Sequence, residues 1–138
     1  MRDESLSDER IKHLEFIQNI VTRLATNSFF IKGWAVTVLA ALYAFEAKNP
    51  SWRIGIVGFL PVLAFWLLDS YYLRQERLFR CLYNDVRQAN SSTEPFSMNI
   101  APYYYIVKPS KVAISYTIMI YYGPLLGLAL TYTTISFF

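Results

Sequence analysis

The stretch "FWLLDSYYLRQER", Phe65 to Arg77, decides how this chain is read. An apolar run meets one acid, Asp69, passes Tyr71 and Tyr72, and continues into arginines. No glycine or proline interrupts it, so a single helix is expected to leave an apolar medium and enter a wet one here. A lone charge in hydrocarbon costs about 2.5–3.5 kcal/mol on insertion scales, so a carboxylate just inside the end of such a run calls for a partner.

The surrounding composition fits a membrane setting. Of 138 residues, 54% are hydrophobic and mean hydropathy is +0.26, too apolar for an ordinary small soluble domain. Three stretches reach the about 17–25 residues that a helix needs to cross a bilayer. They are Phe29–Phe45, with Lys32 near its start, Ile54–Leu73, with Asp69 near its end, and the uncharged run 112–138. The other reading of the first two is a buried hairpin in a soluble protein, but a chain this short could not cover three such segments. The polar start, "MRDESLSDERIKH", lacks the apolar core and cleavage site of a signal peptide, so none is expected.

Basic residues set the orientation. Arg2, Arg10, Lys12, Arg23 and Lys32 precede or enter the first span, and Arg74 through Lys111 hold the second large group. Only Lys48 and Arg53 lie in the short loop between spans, and nothing charged follows Lys111. The positive-inside rule then puts the N-terminus and a loop over 91–111 in the cytoplasm, and Phe138 on the far side.

Ser7 is suited to cap a helix, with Asp8 and Glu9 in the first turn where its dipole favours acids. Leu14, Ile17, Val21, Leu24 and Ser28 follow at three- and four-residue spacing, as do Leu78, Leu82 and Val86 later on. The sequence thus predicts a single all-α integral membrane domain over 1–138. Two long antiparallel helices, 8–47 and 51–90, would each run about 60 Å at 1.5 Å per residue. Their outer halves carry the spans and their inner halves project as a cytoplasmic hairpin, with "NSSTEP" stopping the second helix.

A tight turn at Pro50–Ser51 places residues equally far from it at equal depth. Lys32 and Asp69 are such residues, with opposite charge. The expectation is a structural ion pair that locks hairpin register; the alternative is that each side chain snorkels separately to water. The same geometry sets Glu15 near Val86 and Arg87, a weak contact if formed.

Pro61 and Pro124 fall within spans, where proline is tolerated and can also kink a helix. Ala40, Ala41 and Ala44, and the GxxxG pair Gly123 and Gly127, offer small faces for helix packing. Trp34, Trp52, Tyr71, Tyr72 and "PYYYIV", 102–107, suit interfacial aromatic belts, and the last reads as an extended or interfacial return or as a partner-binding edge. Arg74, Arg77, Arg80 and Arg87 form a juxtamembrane basic patch that would face anionic lipid or a partner, with a nucleotide signal or a nucleic acid as the alternative ligand, or would simply enforce topology. A net charge of +3 gives no reason to expect nucleic acid.

Chemistry finds no foothold. One cysteine, Cys81, allows no internal disulfide, and one histidine, His13, allows no histidine-based metal cluster. There is no GxSxG, Walker A, HExxH or CxxC motif. A non-enzyme without cofactor or metal is expected.

The stretches "HLEFIQNIVTRLATNSFFIKGWAVT", 13–37, and "FWLLDSYYLRQERLFRCLYNDV", 65–86, resemble a group of small, mostly uncharacterised bacterial inner-membrane proteins. The chain is also similar in layout to SLATT-type effectors, in which a cytoplasmic helix precedes a membrane hairpin and another helix follows. Its third span departs from that two-span plan. The resemblance implies an oligomeric membrane effector of phage defence that perturbs the bilayer or forms a pore, triggered by a separate cytoplasmic sensor protein. The alternative is a membrane anchor or scaffold that recruits a cytoplasmic partner through the projecting hairpin. Transport is disfavoured by the lack of an internal repeat and by the small number of intramembrane polar groups.

Overall fold

A computed structural model describes residues 7–48, 51–88 and 90–137. Arg2, the turn residue Pro50, Ala89 and Phe138, which enter the sequence reading, lie outside the described residues. The regular elements among the described residues are all helical: α1 (Asp8–Glu46), α2 (Trp52–Val86), a 3-10 turn (Ala101–Tyr103), α3 (Pro109–Ala113) and α4 (Tyr116–Phe137). By length and composition α1, α2 and α4 can each cross a membrane.

Local chemistry sets the ends. The Ser7 hydroxyl accepts the Arg10 N–H at 3.3 Å, and Asp8 and Glu9 occupy the first turn of α1. Pro61 sits inside α2 without ending it. That helix stops at Val86, short of residue 90. The Asp85 carboxylate takes hydroxyls from the following loop, and the Gln88 N–H tightens onto the Asp85 carbonyl at 3.0 Å.

The third helical run also differs from the expected 112–138. Residues 109–113 form α3, the chain breaks at Ile114–Ser115, and α4 starts at Tyr116. At this break the Ala113 carbonyl accepts the Trp66 indole N–H at 2.9 Å. The "PYYYIV" stretch is not extended; it winds through the 3-10 turn into α3.

α2 is the central helix, packed by both α1 and α4. One core cluster joins Ala35, Leu39, Val62, Leu73, Ile118 and Tyr122 across these helices. A second joins Ile17 and Val21 to Leu82 and Val86 near the other end. Partner positions fall along α2 as they rise along α1: Ile17 clusters with Val86, Lys32 meets Asp69, and Tyr43 abuts Gly58. Outside this seam the helices stay uncovered. In the most apolar windows of α1, α2 and α4 only 22%, 28% and 17% of residues are buried, so most of the apolar surface faces outward.

Candidate functional site at the junction of three helices

Asp69 is fully buried in the middle of α2, where a bare carboxylate would be costly. Lys32 Nζ lies 2.5 Å from Asp69 Oδ2, and the Lys32 side chain keeps only 20% of its surface exposed. Ser28, one turn before Lys32 on α1, closes a ring. Its hydroxyl donates to Asp69 Oδ1 and accepts from Lys32 Nζ at 2.8 Å. Both carboxylate oxygens thereby have a partner on α1.

α4 clasps this junction with two adjacent tyrosines. The Tyr121 hydroxyl donates to the Lys32 backbone carbonyl at 2.6 Å, and its ring lies 5.9 Å from Lys32 Nζ. The Tyr122 hydroxyl donates to the Phe65 carbonyl at 3.2 Å from a buried position. One carbonyl belongs to α1 and the other to α2, so α4 is tied to both partners next to the ion pair. Ser28, Tyr121 and Tyr122 were not singled out by sequence reasoning as part of this site. For Ser28 a signal existed, since a residue four before Lys32 shares its face.

The helix-packing candidates fall elsewhere. Ala40, Ala44 and Gly127 are exposed, Gly123 is half-buried, and a Cβ added at Gly123 or Gly127 would touch nothing. Within the chain, close approach is made instead at Gly55 and Gly58. A Cβ at Gly55 would sit 2.8 Å from Thr133 Cα, and one at Gly58 would sit 2.8 Å from the Tyr43 hydroxyl.

The four arginines do not form one free face. Arg74 Nε donates to the Val107 carbonyl at 3.0 Å, and its guanidinium stacks 5.0 Å from the Tyr104 ring centre. Arg80 pairs with Glu76 at 2.8 Å, Arg77 is half-buried, and Arg87 is exposed. Among the described residues the ion pairs are Lys32–Asp69 and Arg80–Glu76; Glu15 does not pair with Arg87.

The loop after α2 is ordered against α1 and α2. Asp85 accepts hydroxyls from Thr93 at 2.5 Å, Tyr103 at 3.1 Å and Ser91 at 3.4 Å. The Thr93 bond, more than any other, holds this carboxyl below its usual range, against the opposing effect of burial. His13, buried on α1, donates Nε2–H to the Ser97 carbonyl at 2.9 Å. Phe96 adopts φ 61°, a left-handed conformation uncommon for a bulky residue, and its ring contacts His13 and Phe16. Among the described residues no group of three metal-ligating side chains converges.

Compared with known proteins, the chain matches no family model, no curated protein and no solved structure, so its site stands on its own residues.

Proposed function

We propose that the chain is a non-enzymatic, multi-pass protein of the bacterial inner membrane that assembles with copies of itself and perturbs the bilayer as an effector in phage defence. In this reading α1 and α2 run antiparallel, with spans at 29–45 and 54–73, and α4 supplies the third span. The N-terminus and the 91–111 loop lie in the cytoplasm, where a sensor protein would deliver the trigger. The falling partner positions along α2 and the interface-level ion pair support this arrangement.

One observation carries the assembly. Two outer helices present uncovered stripes of small residues: Gly33, Thr37, Ala40 and Ala44 on α1, and Gly127, Thr131 and Thr134 on α4. The Thr37, Thr131 and Thr134 hydroxyls return to carbonyls of their own helices, at Gly33, Gly127 and Leu130. The stripes therefore offer close backbone contact with no polar group left to satisfy, as membrane helix interfaces require. Two different stripes on one subunit suit a head-to-tail contact, which closes into a ring when the rotation permits.

Inducible expression in cells carrying a potential-sensitive dye tests the reading. Growth arrest with loss of membrane potential, abolished by Ala40→Leu, is expected. Normal growth and potential at high expression, with and without phage infection, would remove the effector function.

The scaffold reading draws on a separate feature. A cleft of about 500 Å³ at the projecting end is lined by Ile11, Leu14, Gln18 and Tyr83, and Ile11 and Phe16 are exposed beside it. Capture of one stoichiometric soluble partner by this end, without toxicity, would favour the scaffold.

A further inference from the structure

Where the apolar run of α2 gives way to arginines, an open groove of about 400 Å³ separates α2 from α3. Leu67 and Tyr71 form one wall and Pro109, Ser110 and Ala113 the other, with Arg74 closing an end. The Trp66–Ala113 hydrogen bond fixes the spacing of the walls. The groove is apolar along its length and cationic at one end, and no carboxylate lines it.

Arg74 is oriented as well as placed. Its Nε is engaged by the Val107 carbonyl and one face lies over Tyr104, so its terminal nitrogens are held in a fixed fork. Lys108 caps α3 and Lys111 lies in its last turn, both exposed, so positive charge is concentrated around the same end. A fixed guanidinium fork matches a phosphate diester, and the apolar trough matches a hydrocarbon chain.

We propose that this groove seats one anionic phospholipid of the cytoplasmic leaflet, its phosphate on Arg74 and Ser110 and an acyl chain along Leu67 and Ala113. The site would tie α3, and through it the start of α4, to the lipid composition of the leaflet. The inference rests on the membrane insertion proposed above and not on pore formation.

Trp66 reports on the groove because its indole holds the groove's wall. In a Trp34→Phe, Trp52→Phe background it is the sole tryptophan. The protein is reconstituted in phosphatidylcholine vesicles with rising fractions of either brominated phosphatidylglycerol or brominated phosphatidylcholine, and Trp66 quenching is followed. Half-maximal quenching is expected at a phosphatidylglycerol fraction about fivefold lower than for phosphatidylcholine. Arg74→Gln should erase the difference and Arg74→Lys keep part of it. Arg74 also binds Val107, so Ala113→Phe provides a second variant that fills the trough and leaves that bond intact; it too should erase the preference. Equal quenching by both lipids overturns the lipid site alone, as does a preference that survives Ala113→Phe. Absence of quenching by either lipid overturns insertion and this site with it.

Discussion

Removing either member of the Lys32–Asp69 pair leaves the other largely buried and without its counter-charge, still bonded to Ser28. Breaking a buried pair on one side costs up to about 3–5 kcal/mol. Asp69→Asn and Lys32→Met should therefore each lower thermal stability in detergent, and the double variant should lose less than the two singles together because the residues are coupled. Strict additivity would mean that the contact contributes nothing to folding. Ser28→Ala removes two hydrogen bonds, one to each charged group, but leaves the pair itself in contact, and should cost less than the loss of either charge. The meeting of the two charges was legible in the sequence because residues equally far from an expected turn at Pro50–Ser51 are expected to oppose each other. Tyr121 and Tyr122 were not, because the long 87–115 connection fixes no register for α4. Nothing in the spacing of those tyrosines announces that one reaches the Lys32 carbonyl and the other that of Phe65.

Elements meet where side chains are missing, and α2 uses its glycines for this. At Gly55 an added Cβ runs into the Thr133 backbone, which cannot swing away, so Gly55→Ala should push α2 and α4 apart at a cost of about 1–3 kcal/mol. Gly58→Ala meets the far end of the Tyr43 side chain and should cost less. Gly127→Ala has open space and should leave the folded monomer as stable or stabilise it by up to about 1 kcal/mol. Thermal unfolding of the three variants side by side checks the order; a Gly127 variant as damaged as Gly55→Ala would contradict it. A glycine pattern says that close approach is available, not which face is taken, and that is why the Gly123–Gly127 motif drew attention away from Gly55. The loop beyond α2 is held by charge as well as by packing. Asp85 has its carboxyl below the ordinary value of 3.8, chiefly through Thr93, so its stabilising effect is complete above that value and fades as pH falls through the lowered one. Hydrogen-exchange protection over 90–103, corrected for the intrinsic pH dependence of amide exchange, should be high at pH 7, fall on acidification well below 3.8, and be low throughout in Asp85→Ala. Equal protection in Asp85→Ala and the parent at pH 7 would show that the hydroxyl bonds do not order the loop.

At the scale of the whole molecule, three helices tied at one polar junction still leave most of their apolar surface outward. Lipid covers such a surface well, and lipid alone gives no reason for small residues to align on it. Leucine and phenylalanine would serve there equally, as Phe29, Leu60 and Leu130 do elsewhere on the exposed surface. In the proposed assembly the exposed Gly33, Thr37, Ala40 and Ala44 on one helix, with Gly127 and Thr131 on another, are the surface for a second copy. If α1 of one subunit meets α4 of the next, a Cys81→Ser protein carrying Ala40→Cys and Thr131→Cys should form covalent ladders under mild oxidation in native membranes. Each single-cysteine parent should stop at dimer or give none. Ala40→Leu should abolish the ladder while leaving the monomer fold intact, because Ala40 touches the outside and not the seam with α2. A double-cysteine protein that runs as monomer throughout, with native mass in mild detergent also returning single chains, would leave the stripes to lipid and remove assembly, and with it the pore.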